Sequence, residues 1–466
     1  LPQNTVVLFP PAFIPSIRHC AGFDEAGFEA AHLAATVVTS ARINPGKIQD
    51  ILLLDSEEFK VAGNVPWCTT GFYLEERPSF TLDPLFHAGA YYVQEASSMF
   101  LEQALRQTVD FTVPLKVLDL CAAPGGKSTL IQSLISSESI LIANEVIKTR
   151  VNILAENITK WGAANVVVTN NDAKDFARLP GYFDVIVADA PCSGSGLFRK
   201  DPDAMNEWSE KNVALCCERQ QRILADVLPA LKPGGVLIYS TCSYSEAENE
   251  AIADWLCDAF ALQSCRLQLD ISWGIVETIS KKKQAYGYRF YPGKVKGEGF
   301  FIAAFMNAGT TPPPMKTPAA KKNAAKISAA EAAVVTPYLA QAPHLHKYRQ
   351  QDDILALPPQ MAAALPLLQQ NLYIRKAGIK LGTIIRNELI PHHELAVSSI
   401  INKTLPALEV DKPTALQYLR RQEVQLATDI KGWALLQYGT LKLGWIKFLH
   451  NRVNNYYPKE WRILNR

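Results

Sequence analysis

The sequence predicts an α/β fold, a doubly wound parallel sheet flanked by an N-terminal α+β domain and a β-rich C-terminal half. Two observations predict the sheet. Between about 115 and 305, short apolar runs alternate with helical stretches at the interval that parallel strands and their crossover helices need. Four of these runs end in an acid, and two lead into a cysteine within a small-residue turn. A third observation sets the C-terminal half apart: the segment 308–335 is rich in Pro, Ala and Lys and reads as a linker.

At 466 residues the chain is too long for one ordinary core. With 48% apolar and 20% charged residues it is globular rather than disordered. No apolar run approaches the roughly 18–20 residues of a membrane span. The stretch LPQNTVVLFPPAFIPSI has no basic n-region and four prolines, so no secretory signal is expected. Nine scattered cysteines without a CxxC or metal-ligand spacing suit reduced thiols, a cytoplasmic protein and no bound metal. A net charge of +2 decides nothing about nucleic acid. The distribution says more, because Lys442 to Arg466 holds six Lys or Arg residues against the single acid Glu460.

Residues 1–108 read as the α+β domain. FEAAHLAATVVTSARI has helical spacing followed by a β-branched run, and YYVQEASSMFLEQAL is a strand leading into a helix. Residues 109–307 hold the sheet. LKVLDLCAAPGGKSTLIQSLI is strand, Gly-rich turn and helix; SILIANEVIKTRVNILAENITKWG is a second strand and helix; NVVVTNNDAKDF is a third strand. FDVIVADAPCSGSG is the fourth, and GGVLIYSTCSYS the fifth. YGYRFYPGKVKGEGFFIAAFMN supplies a closing pair that adds an antiparallel edge. Beyond the linker, 336–405 reads as a small intermediate domain and 406–466 as a compact basic module with a hairpin around Gly439.

The chemistry gathers at the strand ends, where open α/β sheets bind ligands. In CAAPGGKST, small residues at 122, 123, 125 and 126 let a ligand approach the backbone N–H groups of a helix N-terminus. The P-loop pattern GxxxxGK[ST] fails because position 121 is Cys, which leaves an NTPase as the weaker reading. Asp119, Glu145, Asp172 and Asp189 end four successive strands. One such acid is as often a helix N-cap. Four along one sheet edge, without a phosphate-binding glycine pattern, point to an adenosine that carries no polyphosphate. S-adenosylmethionine fits. Most buried cysteines are merely small hydrophobes, the reading taken for Cys20, Cys68, Cys216, Cys217, Cys257 and Cys265. Cys121 packs beside the glycine turn. Cys192 and Cys242 differ, since each follows a strand at the ligand edge.

DLCAAPGGKS, DAPCSGSG and STCSYSEAENE, with FRKDPDA and YYVQEASSM, resemble the motifs of the Sun family of RNA (cytosine-5) methyltransferases. The likeness is closest to its RsmF-type branch, which acts on bacterial 16S ribosomal RNA. The resemblance implies a Rossmann-like methyltransferase sheet and a PUA-like RNA-binding module at the C-terminus. It makes Cys242 the nucleophile, assigns Cys192 to the elimination step, and sets Asp189 on the cytosine edge. Cofactor contacts are implied for Cys121, Ala122, Ala123, Pro124, Gly125, Gly126, Lys127, Glu145, Asp172 and Asp189, with Arg150 a further candidate. SARINPGKI loosely matches a family pattern that would put Arg42, Asn44 and Lys47 on RNA. Trp445, Phe448, Tyr456 and Tyr457, interleaved with the C-terminal basic residues, are expected on RNA as well. The partner is then 16S rRNA, naked or within the 30S subunit, met by a monomer. Removing residues from about 336 onward should weaken RNA binding and leave cofactor affinity intact. A non-catalytic RNA-binding assembly factor is the second alternative, and the intact cysteine pair argues against it.

Overall fold

The computed structural model describes residues 9–34, 37–51, 54, 59–310, 325–340 and 344–464. A first antiparallel sheet has the order β2-β3-β1-β4, from β1 (Thr39–Ile43), β2 (Val61–Asn64), β3 (Gly71–Leu74) and β4 (Tyr91–Val93). The second sheet is built on β5 (Lys116–Asp119), β6 (Ile140–Asn144), β7 (Val166–Thr169), β8 (Phe183–Asp189) and β9 (Leu231–Thr241), all parallel. Its order, β7-β6-β5-β8-β9, reverses direction between β5 and β8, which is the switch point where such sheets take ligands. These strands form where the sequence is apolar on both faces. Val185, Ile186, Val187 and Ala188 are all buried, as a parallel sheet covered on both sides requires.

The antiparallel edge is broader than the closing pair alone. β12 (Tyr286–Phe290) and β13 (Phe300–Asn307) pair as expected, and β10 (Leu262–Cys265) and β11 (Val276–Ile279) add to them. The reading of the other cysteines as packing residues fits Cys20, Cys68 and Cys216, which are buried; Cys217, Cys257 and Cys265 are half-buried.

The C-terminal half departs from its expected division. Part of the anticipated linker, 311–324, lies outside the described residues. The rest of it is ordered: β14 (Ala325–Lys326) pairs with β15 (His346–Gln350), and Ala329–Val335 is helical. Ser328 and Glu331 form a reciprocal capping box at its start, alanine favours the helix, and Val335 is buried at its end. A low-complexity composition hid a capped helix.

Three strands, β16 (Asp353–Leu357), β18 (Ile379–Ile385) and β19 (Glu388–Pro391), complete the third sheet. Between them β17 (Ile374–Ala377) crosses the anticipated domain boundary and pairs antiparallel with β7, becoming the outer strand of the catalytic sheet. Tyr348, Leu357, Met361, Leu365 and Leu368 share one core with Leu118, Ile142 and Ile186 of that sheet. The last sheet has β20 (Ala407–Glu409), β21 (Gly432–Tyr438), β22 (Leu441–Phe448) and β23 (Val453–Asn455), with the expected hairpin turning at Gly439. Its apolar face meets the N-terminal domain: Ala41, Phe72 and Tyr91 lie in one core with Tyr418, Leu436 and Ile446.

Two groups of residues expected on RNA are instead inside. Trp445, Phe448 and Tyr457 are buried because both faces of β22 are covered, Trp445 in one core with Ile354 and Leu395, Phe448 and Tyr457 in another with Ala41 and Phe72. Of the four, Tyr456 alone reaches the surface, edge-on to Trp433. Among the basic residues, Lys447 pairs with Glu388, and Arg466 lies outside the described residues. Arg42, Asn44 and Lys47 pin the N-terminal domain to the catalytic one. Arg42 donates to Gln94 Oε1 at 2.8 Å, the Gly126 carbonyl at 3.0 Å and Thr129 Oγ1 at 2.7 Å. Asn44 donates to the Gly89 and Trp161 carbonyls, and Lys47 Nζ to the Ala88 and Lys160 carbonyls. Burial pushes Arg42 down to about 10 and Lys47 down to about 7. Arg42→Met is expected to lower stability by about 2–4 kcal/mol, since it removes three hydrogen bonds and leaves the buried Gln94 Oε1 without its donor. The salt slope of RNA affinity, which a lost phosphate contact would reduce by about 0.7, should stay unchanged. Calorimetry and an RNA titration at several salt concentrations check the two halves.

Candidate active site

Two parallel strands bring the cysteine motifs side by side. Asp189 of β8 is in register with Ser240 of β9, and Ser240 Oγ donates to Asp189 Oδ1 at 2.7 Å. Three residues beyond Asp189 and two beyond Ser240, the Sγ atoms of Cys192 and Cys242 stand 3.1 Å apart. The next pair repeats the contact, with Ser193 Oγ and Ser243 Oγ at 3.2 Å. Gly196 permits this closeness. Its N–H donates to the Cys242 carbonyl at 2.7 Å, and a Cβ there would lie 2.7 Å from that oxygen and 2.5 Å from the Gly299 carbonyl.

Glu248 ties the two loops together, and sequence reasoning missed it. Its carboxylate accepts from Ser193 N at 2.7 Å, Ser193 Oγ at 2.6 Å, Ser243 Oγ at 2.5 Å and Gln220 Nε2 at 3.3 Å. Burial raises the Glu248 carboxyl, while these donors lower it. Glu248→Ala is expected to leave Ser193 N–H and two hydroxyls without their acceptor, lowering stability by about 3 kcal/mol. Turnover should fall with it, whereas Glu248→Gln, which keeps one acceptor oxygen, should lose less of both; calorimetry and methylation assays on the two variants check the order. The contact between Cys192 and Cys242, together with burial, raises the Cys192 thiol well above its usual value.

Beside the thiols, the glycine turn opens a small cavity. Gly125, at φ +116°, caps the helix Gly126–Leu134 in a left-handed conformation that favours glycine. Cys121, Ala122, Ala123, Pro124, Gly126, Lys127 and Asp189 line a cavity of about 200 Å³, joined by Tyr92, Gln94, Glu95 and Ser98 of the N-terminal domain. Those four belong to the YYVQEASSM stretch, whose resemblance to the family motif was the only signal for them. Lys127 Nζ lies 2.7 Å from Asp189 Oδ2. Burial works against the Lys127 charge, but Asp189 outweighs it and its pKa is raised. Burial likewise raises the Cys121 thiol, consistent with a packing role.

The four acids occupy the same edge in different states. Asp119 is buried, accepts from Ser128 Oγ at 2.6 Å and leaves Oδ1 without a partner; burial pushes its carboxyl up to about 7. Glu145, at the end of β6, accepts from Ile147 N at 2.9 Å. Arg150 Nη1 stands 3.6 Å from Glu145, and its Nη2 donates to the Ala123 carbonyl at 2.6 Å. Arg150 therefore braces the glycine turn against Glu145. Asp172, three residues beyond the end of β7, caps the short helix Ala173–Arg178 through Lys174 N. The arrangement suits S-adenosylmethionine: an orphaned buried acceptor, carboxylates for ribose and ammonium groups, and a cradle of small residues at a helix N-terminus. A polyphosphate would meet the carboxylates of Glu145, Asp172 and Asp189, which are of its own sign.

Comparison with known proteins gives the same direction. The family "16S rRNA methyltransferase RsmB/F" matches residues 109–306, the "N-terminal domain of 16S rRNA methyltransferase RsmF" matches 9–96, and the "Methyltransferase RsmF PUA domain" matches 405–463. The chain is 33% identical over 414 residues to the ribosomal RNA small subunit methyltransferase F of Aliivibrio fischeri, covering 85% of each chain. To that of Salmonella arizonae it is 32% identical over 478 residues, covering 97% of this chain and 96% of the other. The chain belongs to the RsmF family of 16S rRNA methyltransferases. Among solved structures, a methyltransferase homolog from Pyrococcus horikoshii shares 28% identity at a TM-score of 0.51, over 64% of this chain and 99% of its own. NSun6 from Pyrococcus horikoshii, solved with SFG, shares the fold at 20% identity and a TM-score of 0.53, over 65% and 99%. S-adenosylmethionine is the cofactor of this RsmF-family chain.

Proposed function

We propose that the chain transfers a methyl group to carbon 5 of a cytidine in 16S rRNA, through a covalent bond between Cys242 and carbon 6. The observation that carries this reading is the pair of thiols at 3.1 Å beside the cavity that Lys127 and Asp189 line. Carbon 5 of cytosine is too weak a nucleophile to take a methyl group unaided. The Cys242 thiolate adds to carbon 6, forming a C–S bond and pushing the ring's electron pair toward carbon 5, so one hard step becomes two easier ones. Asp189, oriented by Ser240 and charge-paired with Lys127, accepts a hydrogen bond from the cytosine edge and steadies the protonated ring. When bound, the sulfonium donor supplies a methyl group open to attack by that electron pair. The carbon 5 proton then passes to the Cys192 sulfur as thiolate, and the returning pair breaks the C–S bond to expel Cys242 as thiolate. Cys192, in contact with Cys242, serves this elimination.

Cys121 through Lys127, with Asp189, would hold the amino-acid side of S-adenosylmethionine, and Glu145 and Asp172 its adenosine. The target base leaves its stack to reach the thiols. The C-terminal PUA module grips the surrounding rRNA, and the enzyme works as a cytoplasmic monomer. Among the described residues no helix is long and apolar enough to cross a membrane. Bisulfite sequencing of 16S rRNA methylated by the purified chain tests the reading. At least one newly protected cytosine is expected; no protected cytosine, or a methyl group found by mass spectrometry on any other atom or base, overturns it.

A further inference from the structure

The ladder between β7 and β17 ends at Thr169 and Ile374. Two asparagines carry it further. Asn171 Oδ1 accepts the Tyr373 N–H at 2.9 Å, and Asn171 Nδ2 donates to the Tyr373 carbonyl at 3.2 Å, so an amide side chain pairs as a strand residue would. The Asn170 N–H donates to the same carbonyl at 3.1 Å. On their other side the same two residues hold the cofactor edge. Asn170 Nδ2 donates to the Glu145 carbonyl at 2.6 Å and the Val146 carbonyl at 3.0 Å. Asn144 exchanges two bonds with the Asn171 main chain, each 3.0 Å, and Asn171 directly precedes Asp172. The helix that Asp172 caps is fastened from the same direction, since Arg178 Nη1 donates to the Asn371 carbonyl and Phe176 packs with Leu368 and Leu372.

We propose that the C-terminal half is part of the methyl-donor site, with the Tyr373 main chain positioning Glu145 and Asp172 through Asn170 and Asn171. The inference rests on the reading that these two acids hold the donor's adenosine. Carboxylates that recognise a ribose or a purine must be held to a fraction of an ångström, and a loop free to move must be ordered again at each binding event. Removal of the C-terminal half then costs donor affinity, contrary to the expectation that this half serves RNA alone. Asn170 and Asn171 are positioning residues.

Titration calorimetry of the full chain with S-adenosylmethionine tests this. Asn171→Leu, near-isosteric and unable to pair with Tyr373, should raise the donor Kd by about tenfold, the effect of one or two lost hydrogen bonds. The donor KM should rise in parallel while kcat at saturating donor and RNA affinity hold, a split that general destabilisation would not produce. A donor Kd within about twofold of the parent overturns the inference. Should Asn171→Leu fail to fold, Asn170→Ala, whose side chain reaches the surface, interrupts the same chain, with the same expected and overturning results. Glu145→Ala separates the two possible failures. If it weakens donor binding and the asparagine variants do not, the role of the C-terminal half falls alone; if it too leaves the Kd unchanged, the assignment of the acids to adenosine falls first.

Discussion

Cys242→Ala is expected to abolish methylation, lowering turnover by at least about a thousandfold, because every later step of the covalent route needs the C–S bond this sulfur makes. The substitution removes a single atom whose recorded polar partner is the Cys192 thiol. Its carbonyl still accepts from Gly196 N, and Thr241 remains bonded to Asn249 Oδ1, so the loop keeps its shape. Donor affinity should be unaffected, which calorimetry checks, while mass spectrometry of digested rRNA measures 5-methylcytidine. Sustained turnover by this variant would eliminate the covalent route and leave the sulfur pair without a function.

Cys192→Ala should give the opposite phenotype, a trapped complex rather than an idle enzyme. Addition at carbon 6 and methyl transfer proceed through Cys242, but the step that ejects it is impaired. Enzyme and rRNA then accumulate as a covalent species that survives denaturing electrophoresis, with less than about one turnover per enzyme. The double variant should form no such species, tracing the bond to Cys242. A Cys192→Ala enzyme that turns over freely would assign the elimination to another group.

The sheet and its chemistry were legible for a physical reason. A parallel strand buried on both faces shows as an unbroken apolar run, and whatever polar residue ends it must lie on the ligand edge. Asp119, Glu145, Asp172, Asp189, Cys192 and Cys242 are therefore legible from the sequence as residues of one sheet edge. The supporting residues were not legible, since their signal is pairing at long range. Glu248 sits in SEAENE and reads as one more surface acid; only the meeting of two loops buries it. Arg42 and Lys47 read as RNA-facing cations until their acceptors, main-chain carbonyls and an amide on other elements, are seen. β17 had strand alternation, but nothing local names β7 as its partner. The aromatics around Trp445 misled for a related reason. Aromatic residues interleaved with basic ones mark a nucleic-acid surface and a strand packed on both faces equally well, and here Trp445 and Phe448 enter two different cores.

The core that joins Tyr418, Leu436 and Ile446 to Ala41, Phe72 and Tyr91 has a consequence for substrate choice. A module seated so firmly cannot swing on a tether to wherever a cytidine happens to be. If the module binds rRNA as proposed, the span from it to the two sulfur atoms is fixed, as in a caliper. On the proposed function, a nucleotide would be selected by its distance and bearing from a second feature of the folded rRNA, and short oligonucleotides bearing the right local sequence should be poor substrates.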